Sequence, residues 1–391
     1  MDLKSLQAFM RDRRVDAWLV YDFRGSNPVL ARLVPMGTHL TRRALLLIPA
    51  EGEPRMAVSP LDHNQFSRSP YPRDLYNGWR GLHDWLTRNL SGHARVAMEY
   101  SPGGHLPICS FVDAGTVEMV RAMGVEVVSS ADLVQASAAR WGAEAARLHL
   151  EASCKVTGVK DAAFEYIAQK HRASVNPLEH EVAQFIRDRF DAEGLEYPDG
   201  PIVGVNAHAG DPHFEPSADQ PTPIKPGDWI LIDLWARSPG DHNVHADITW
   251  VGFAGREVPE RHRRVFDVVK ASRDACVREA QQAWAAKRPV QGWQLDDAAR
   301  KPIIDAGFAD AIRHRTGHSL SPGPKVHGLG ANLDNLETHD TRQIMPDTGF
   351  TVEPGIYLPE FGVRMEVDLY VDPQKGPTIT SCVQEEPVIV V

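Results

Sequence analysis

Apolar residues recur with a helical period in parts of the first third of the chain and form short strand-like runs in others. The predicted elements are an amphipathic helix and three buried strands, at residues 3–14, 17–21, 44–48 and 95–98. Helices and strands in alternation favour an α/β domain. The pattern changes to long helices between residues 127 and 142, and we place a domain boundary there, between residues 138 and 139.

The remainder of the chain predicts helices first and strands last. Helices are expected over residues 144–171, 177–192, 259–287 and 295–306, and strands over residues 201–205 and 228–235. From residue 327 onward the pattern is of strands interrupted by proline and glycine. The predicted fold class of residues 139–391 is α+β, with helices on one face of a largely antiparallel sheet, and residues 1–138 form a smaller α/β domain.

Length, charge and cysteine content narrow the class of protein. A chain of 391 residues is long for a single core, which agrees with two domains. The net charge is −10 and the basic residues are scattered, so no nucleic-acid partner is expected. Neither a long apolar span nor the apolar core of a signal peptide is present, so no membrane partner is expected. The four cysteines are widely spaced and are predicted to be free buried thiols, and the expected localisation is cytoplasmic.

Two aspartates lie on neighbouring predicted strands. Asp233 alternates with Trp235 in the segment LIDLWA, and Asp247 follows in VHADITW. The connection over residues 237–243 is rich in turn formers, which predicts a hairpin that brings the two carboxylates together.

Three further candidate ligands follow in the segments RTGHS, TVEPGIY and GVRMEVD, namely His318, Glu353 and Glu366. Taken singly, either glutamate is more often a surface residue than a ligand. Four carboxylates and one imidazole nevertheless suit manganese, cobalt, iron or zinc. Two dications would neutralise the four ionised carboxylates, which would otherwise repel one another.

In this order the segments resemble the pita-bread metallopeptidases, the group that contains Xaa-Pro dipeptidases (prolidases), aminopeptidase P and methionine aminopeptidases. The likeness covers about residues 145–391, includes PHFEP at residues 212–216, and is closest to bacterial Xaa-Pro dipeptidases. Residues 1–135 are more loosely similar to the creatinase-type N-terminal domain. That domain makes a methionine aminopeptidase less favoured.

The resemblance implies a cofactor of two divalent metal ions, with manganese as the first choice and zinc or cobalt as alternatives. Asp233 would chelate one ion, His318 and Glu353 would hold the other, and Asp247 and Glu366 would bridge both. A hydroxide between the metals would be the nucleophile. Glu353 would also act as the general base.

Further residues match substrate positions of the family. His213 and His327 are similar to the histidines that contact the substrate carbonyl and the tetrahedral intermediate. Arg364 and His314 match other pocket positions. The segment VHGLG at His327 also resembles a metal-binding pattern of the family, but RTGHS is the better match, so His318 is the predicted ligand.

Two of the departures from the family pattern replace a residue at a substrate position. Trp235 stands where the family commonly has glycine, and it is predicted either to narrow a subsite or to be buried against the sheet. His339 stands where prolidases carry an arginine that pairs with the carboxylate of a dipeptide, with Arg342 nearby. A neutral histidine lacks the bidentate grip of guanidinium, so both His339 and Arg342 are candidates for substrate binding.

The leading hypothesis is a peptidase that hydrolyses Xaa-Pro bonds in dipeptides or short peptides. The first alternative keeps the chemistry and alters the end recognition, as in aminopeptidase P, a carboxypeptidase-like enzyme or a non-proline dipeptidase. The second is a non-catalytic pita-bread module that binds peptides, which the presence of all five ligands disfavours. The resemblance also implies a homodimer.

Overall fold

The computed structural model describes residues 2–391, and the chain divides into two compact units, one ending at Ala138 and the other beginning at Ala139. The first unit has a single six-stranded sheet. Its strands are β1 Ala17–Phe23, β2 Arg43–Pro49, β3 Arg55–Val58, β4 Arg73–Leu75, β5 Arg95–Met98 and β6 Glu126–Ser129. Its helices are α1 Leu3–Asp12, α2 Pro28–Leu33, α3 Gly78–Leu90, α4 Ala114–Arg121 and α5 Ala131–Ser137.

The sheet of the first unit is mixed, in the order β4-β3-β2-β1-β5-β6. Strands β1, β2 and β3 pair antiparallel, whereas β5 and β6 pair in parallel with their neighbours. Strand β1 is buried from Ala17 to Asp22, because its apolar run is covered on both faces. The helix and the three strands predicted for this part of the chain, and its α/β character, are confirmed.

A buried carboxylate, Glu99, joins several parts of the first unit. Its Oε1 accepts hydrogen bonds from Trp18 Nε1 at 2.6 Å and from Ser130 Oγ at 3.0 Å. Its Oε2 accepts from Asn27 Nδ2 at 2.9 Å and from the Tyr21 amide at 3.3 Å. Burial raises the pKa of Glu99 to about 7, although these donors oppose the rise.

We expect Glu99 to make the first unit less stable as the pH rises from about 4.5 to about 7. Folded protein holds the proton in this window, whereas the unfolded chain, with the ordinary pKa of 4.5, has released it. The contribution is full below pH 4.5 and is lost as the pH rises through 7, a change on the order of 3 kcal/mol. Glu99→Gln removes the titrating group. The free energy of opening of this variant, measured by hydrogen exchange of the β1 and β5 amides, should therefore depend less on pH than that of the parent. An unchanged dependence in this variant would contradict the assignment.

The second unit contains four long helices and three small sheets within the described residues. The helices are α6 Ala143–Arg172, α7 Glu179–Ala192, α8 Glu260–Ala285 and α9 Gly292–Asp305. The strands are β7 Ile202–Val205, β8 Trp229–Ala236, β9 Ala246–Phe253, β10 Ser319–Leu320, β11 Gly349–Val352, β12 Gly355–Tyr357, β13 Gly362–Arg364, β14 Val367–Asp372, β15 Gly376–Ile379 and β16 Val388–Ile389.

The sheets of the second unit are almost wholly antiparallel. Their strand orders are β16-β9-β8-β7, β10-β11-β14-β15 and β12-β13, and the β16–β9 pair is parallel. Helices α6 and α7 pack against the first of these sheets, with Val156, Ala163 and Ile186 in the shared core. The predicted α+β class with helices against a largely antiparallel sheet is confirmed.

Two helices begin a few residues away from the predicted positions because of their capping residues. The Glu181 side chain accepts from the Leu178 amide at 2.9 Å, so α7 begins after this cap and not at residue 177. The Gln294 side chain accepts from the Gln291 amide at 2.9 Å, which starts α9 before residue 295.

Cys109 and Cys276 are buried as predicted. The prediction is wrong for Cys154 and Cys382, which are exposed. Cys154 lies two residues from both Ala152 and Val156, whose side chains form the buried face of α6, so it projects from another face. Within residues 2–391, no helix combines the length and the apolarity that a membrane crossing requires.

Candidate metal centre

Strands β8 and β9 form the hairpin that the sequence predicts. In its register Trp235 faces Asp247, and Asp233 faces Thr249. Asp233 and Asp247 therefore lie on one face of the hairpin, one on each strand. Both are largely buried, at 8% and 4% exposure.

His318 and Glu366 join Asp247 in a compact cluster. One potential ligand atom from each of the three side chains lies within 4.8 Å of the other two. His318 precedes β10, and a Cβ on the preceding residue, Gly317, would lie 2.0 Å from the Thr351 carbonyl oxygen. Glycine at that position is therefore required for the chain carrying His318 to approach β11.

Glu353 lies beside the cluster, directly after β11. Its Oε1 is 3.6 Å from His318 Nε2, and its side chain is 16% exposed. The Glu353 carboxylate also accepts a hydrogen bond from Thr351 Oγ1 at 3.3 Å. The structure thus brings His318, Glu353, Glu366 and Asp247 together, and the surface interpretation of the two glutamates does not hold.

The protonation pattern of His318 leaves one nitrogen for a ligand. Burial lowers the pKa of His318 well below 6.5, so the ring is neutral. Its Nδ1 lies 3.2 Å from the Ser319 carbonyl oxygen and donates to it, which leaves a lone pair on Nε2. Nε2 is 3.3 Å from Asp247 Oδ2, so two acceptors face each other. Either a cation lies between them or Asp247 carries a proton.

Several carboxylate oxygens at this site lack any hydrogen-bond donor. Within the described residues these buried atoms are Asp233 Oδ1, Asp247 Oδ1, Glu366 Oε1 and Asp368 Oδ1. Unpaired buried acceptors are costly unless a cation satisfies them. The residues therefore fit a site for hard or borderline divalent ions.

Burial and mutual repulsion disfavour the ionised carboxylates. The pKa of Asp247 is raised well above 3.8 by burial and then by the charges of Asp233 and Asp368. Burial, followed by the charge of Asp247, does the same to Glu366. Burial raises the pKa of Glu353 to about 7, and Arg364 opposes this rise. Bound cations would reverse this balance and hold the carboxylates ionised.

Arg364 fixes one metal-site carboxylate and a tyrosine that the sequence analysis did not select. Its Nη2 donates to Asp233 Oδ2 at 2.6 Å, and its Nη1 donates to the Tyr357 hydroxyl at 2.9 Å. The hydroxyl lies 2.6 Å from His314 Nε2, and His314 Nδ1 lies 2.7 Å from the Arg315 carbonyl oxygen. Because that Nδ1 donates, Tyr357 donates to Nε2. Burial lowers the pKa of His314 to about 3, which agrees with a neutral ring.

Asp368 and Thr249 were not predicted as site residues either, and both form hydrogen bonds that hold the metal-site residues in place. The Asp368 Oδ2 accepts from the Asp247 amide at 3.0 Å. The Thr249 hydroxyl donates to Glu366 Oε2 at 2.8 Å and accepts from Arg364 Nε at 3.2 Å. Thr249 alternates with Asp247 on β9, a signal that identifies it once the hairpin is known.

The predicted histidines His213 and His327 lie in loops. His213 follows a 3₁₀ turn at Asn206–Gly210 and is exposed. The ring centroid of His327 is 4.1 Å from that of His318, which places it next to the metal cluster. Trp235 is half-buried, and its Nε1 donates to Asp199 Oδ1 at 3.0 Å, so it is not wholly packed into the sheet.

The two residues predicted to bind a substrate carboxylate have other partners. Arg342 is 2% exposed, and its guanidinium donates to Asp340 and to the Leu329 carbonyl oxygen. These contacts give Arg342 a role in holding the connection between β10 and β11. His339 is exposed, and its Nδ1 lies 2.8 Å from Asn335 Oδ1.

The sequence matches the family model described as metallopeptidase family M24 over residues 151–373. It is 28% identical over 210 residues to a probable dipeptidase PepE of Mycobacterium bovis, covering 53% of this chain and 51% of that protein. It is 30% identical over 166 residues to an Xaa-Pro dipeptidase of Lactobacillus delbrueckii subsp. lactis, covering 42% and 40%. The chain thus spans about half the length, or less, of these curated relatives.

Solved structures extend the likeness to nearly the whole chain. The crystal structure of dipeptidase PepE from Mycobacterium ulcerans has a TM-score of 0.75 at 21% identity and covers 99% of this chain and 96% of that one. At this identity the likeness concerns the fold. The predicted α+β pita-bread fold class is confirmed.

Proposed function

This chain belongs to metallopeptidase family M24, and from that premise we propose that it is a two-metal peptidase that hydrolyses Xaa-Pro bonds in dipeptides or short peptides. The observation that carries the proposal is the cluster of Asp247, His318 and Glu366, with Glu353 beside it and carboxylate oxygens that lack donors. An ordinary surface or core would not gather three acidic side chains around one neutral imidazole.

In this proposal the five ligands divide between two divalent ions, manganese being the first choice. Asp233 would hold one ion, His318 and Glu353 would hold the other, and Asp247 and Glu366 would be shared between them. When bound, such ions make water ionisable near neutral pH and polarise the peptide carbonyl.

Glu353 is the proposed carrier of the proton. Burial raises its pKa to about 7, so the ionised carboxylate is disfavoured at this position when no cation is bound. The side chain is the most exposed of the four carboxylates that approach the cluster, so a substrate and a water molecule have access to it. It would take the proton of the attacking water and pass it to the leaving nitrogen of proline.

A chain of hydrogen bonds through Arg364, Tyr357 and His314 fixes the position of the Asp233 carboxylate. Arg364 holds Asp233 by one nitrogen and Tyr357 by another, so the chelating carboxylate cannot turn away. His314 accepts from Tyr357 as a neutral ring and adds no charge to the centre. His213 and His327 would contact the substrate carbonyl and the tetrahedral intermediate from their loops.

Within the same proposal residues 139–391 are the catalytic domain, and residues 1–138 are a creatinase-type N-terminal domain. The homodimer implied by the resemblance also belongs to this proposal. Light scattering on the purified full-length chain measures that state directly.

A second candidate keeps the chemistry and recognises longer peptides, as aminopeptidase P does. The contacts of Arg342 favour it, because a guanidinium bonded to Asp340 does not pair with a free substrate carboxylate. His339, bonded to Asn335, offers no bidentate grip in its place.

Hydrolysis of Ala-Pro, Ala-Pro-Ala and Ala-Ala, each with manganese and with zinc, separates these candidates. Cleavage before proline in Ala-Pro is expected for a dipeptidase, and a higher kcat/KM for Ala-Pro-Ala is expected for the second candidate. Product analysis by mass spectrometry identifies the bond that breaks. Cleavage of Ala-Ala alone would contradict proline specificity, and no cleavage of any peptide with either metal would contradict the peptidase function.

A further inference from the structure

Trp235 lies at the edge of the metal centre and is held there by two contacts. It pairs with Asp247 in the β8–β9 register and alternates with Asp233, so it shares their face of the hairpin. The indole Nε1 donates to Asp199 Oδ1 at 3.0 Å. A Cβ added to Gly200, which has a φ of 73°, would lie 2.5 Å from the indole ring. Gly200 therefore allows the close packing that fixes the ring.

Asp199 places a negative charge beside this ring. The residue is exposed, and one of its carboxylate oxygens accepts from Trp235. The nearby Arg187 directs its N–H groups to the Gly200 carbonyl oxygen and to Gln184 Oε1.

Asp199 is linked to the metal centre through this indole. Trp235 lies opposite Asp247 and two residues from Asp233, so the indole and the two carboxylates share one face of the hairpin. The hydrogen bond from Trp235 Nε1 places the exposed Asp199 carboxylate at the edge of that face.

We propose that Asp199 and Trp235 form a subsite that selects a lysine or arginine side chain on the amino side of the scissile bond. A carboxylate next to a partly exposed indole offers an ion pair and a cation–π contact to the same positive group. The same charge repels the carboxyl end of a dipeptide, which assigns the subsite to the amino-side residue. This specificity rests on the proposed peptidase function.

The test compares Lys-Pro with norleucyl-proline, whose side chain has similar length and no charge. We expect the parent protein to show a kcat/KM for Lys-Pro that is roughly threefold higher, the size of an exposed cation–π or ion-pair contact. Asp199→Asn should remove this preference, whereas the matched control Asp241→Asn, on the turn of the same hairpin, should retain it. High salt should weaken the preference in the parent and leave Asp199→Asn unchanged.

Variants of Trp235 separate the contribution of the indole ring to the Lys-Pro preference from that of the Asp199 carboxylate. Trp235→Phe keeps a ring and should retain part of the preference, and Trp235→Ala should lose more of it. Equal ratios in the parent and in Asp199→Asn, with both dipeptides hydrolysed, would overturn the subsite and leave the peptidase function standing. Absence of hydrolysis of either dipeptide by the parent would overturn the function and, with it, the subsite.

Discussion

Asp247→Asn is expected to abolish most of the peptidase activity without unfolding the protein. Asparagine keeps the size of the side chain and removes the charge that the proposal places between two ions. Loss of an outer partner of a metal ligand costs roughly 10- to 100-fold in affinity or activity, and loss of a bridging ligand should cost more than about 100-fold. The measurement is kcat/KM on Ala-Pro with manganese.

This variant should fold, because the metal-free protein does not depend on an ionised Asp247. Burial raises the pKa of Asp247 well above its ordinary value, so the ionised carboxylate destabilises the metal-free protein. Asparagine removes this cost and can donate to His318 Nε2, which now faces Asp247 at 3.3 Å. Thermal unfolding of the metal-free variant should therefore occur at or above the parent temperature. Parent-like activity in this variant would contradict the role of Asp247.

Glu353→Gln is expected to lower kcat by roughly 10²- to 10⁴-fold, the range for loss of a general acid–base group. The amide keeps an oxygen that can bind a metal but cannot accept the proton of water. We therefore expect kcat to fall much further than the metal content does. Kinetics and elemental analysis on the same preparation measure both quantities.

The matched control for this variant is Glu360→Gln. Glu360 is an exposed glutamate in the turn between β12 and β13, and it pairs only at the surface with Arg261 at 2.8 Å. Its replacement should leave kcat unchanged. If kcat of Glu353→Gln falls only in proportion to its metal content, Glu353 is a metal ligand and not the general base.

Local patterns predicted the elements and the hairpin because they depend on neighbouring residues. Alternation in β8 and β9 and the turn formers between them were sufficient to place Asp233 and Asp247 on one face. The α6 helix was equally predictable, because an unbroken run of good helix formers needs no partner to be recognised.

Contacts between distant segments were not predictable in the same way. Tyr357 hydrogen-bonds His314 and Arg364, although nothing in its local sequence marks it. Asp368 alternates with Glu366, but its hydrogen bond with the distant Asp247 amide depends on the fold. Arg342 looked available for a substrate because its pairing with Asp340 depends on the turn between them. From the sequence, the Arg342 guanidinium could bind a substrate carboxylate. In the fold it binds the Asp340 carboxylate instead.

The division of metal ligands remains the part of the proposal on which every other role depends. Equilibrium dialysis of the full-length protein against manganese, followed by elemental analysis, tests it most directly. We predict two equivalents of manganese per parent chain and a loss of binding in Asp247→Asn. A parent chain that binds no metal, or an Asp247→Asn variant that binds as much as the parent, would contradict the two-metal centre.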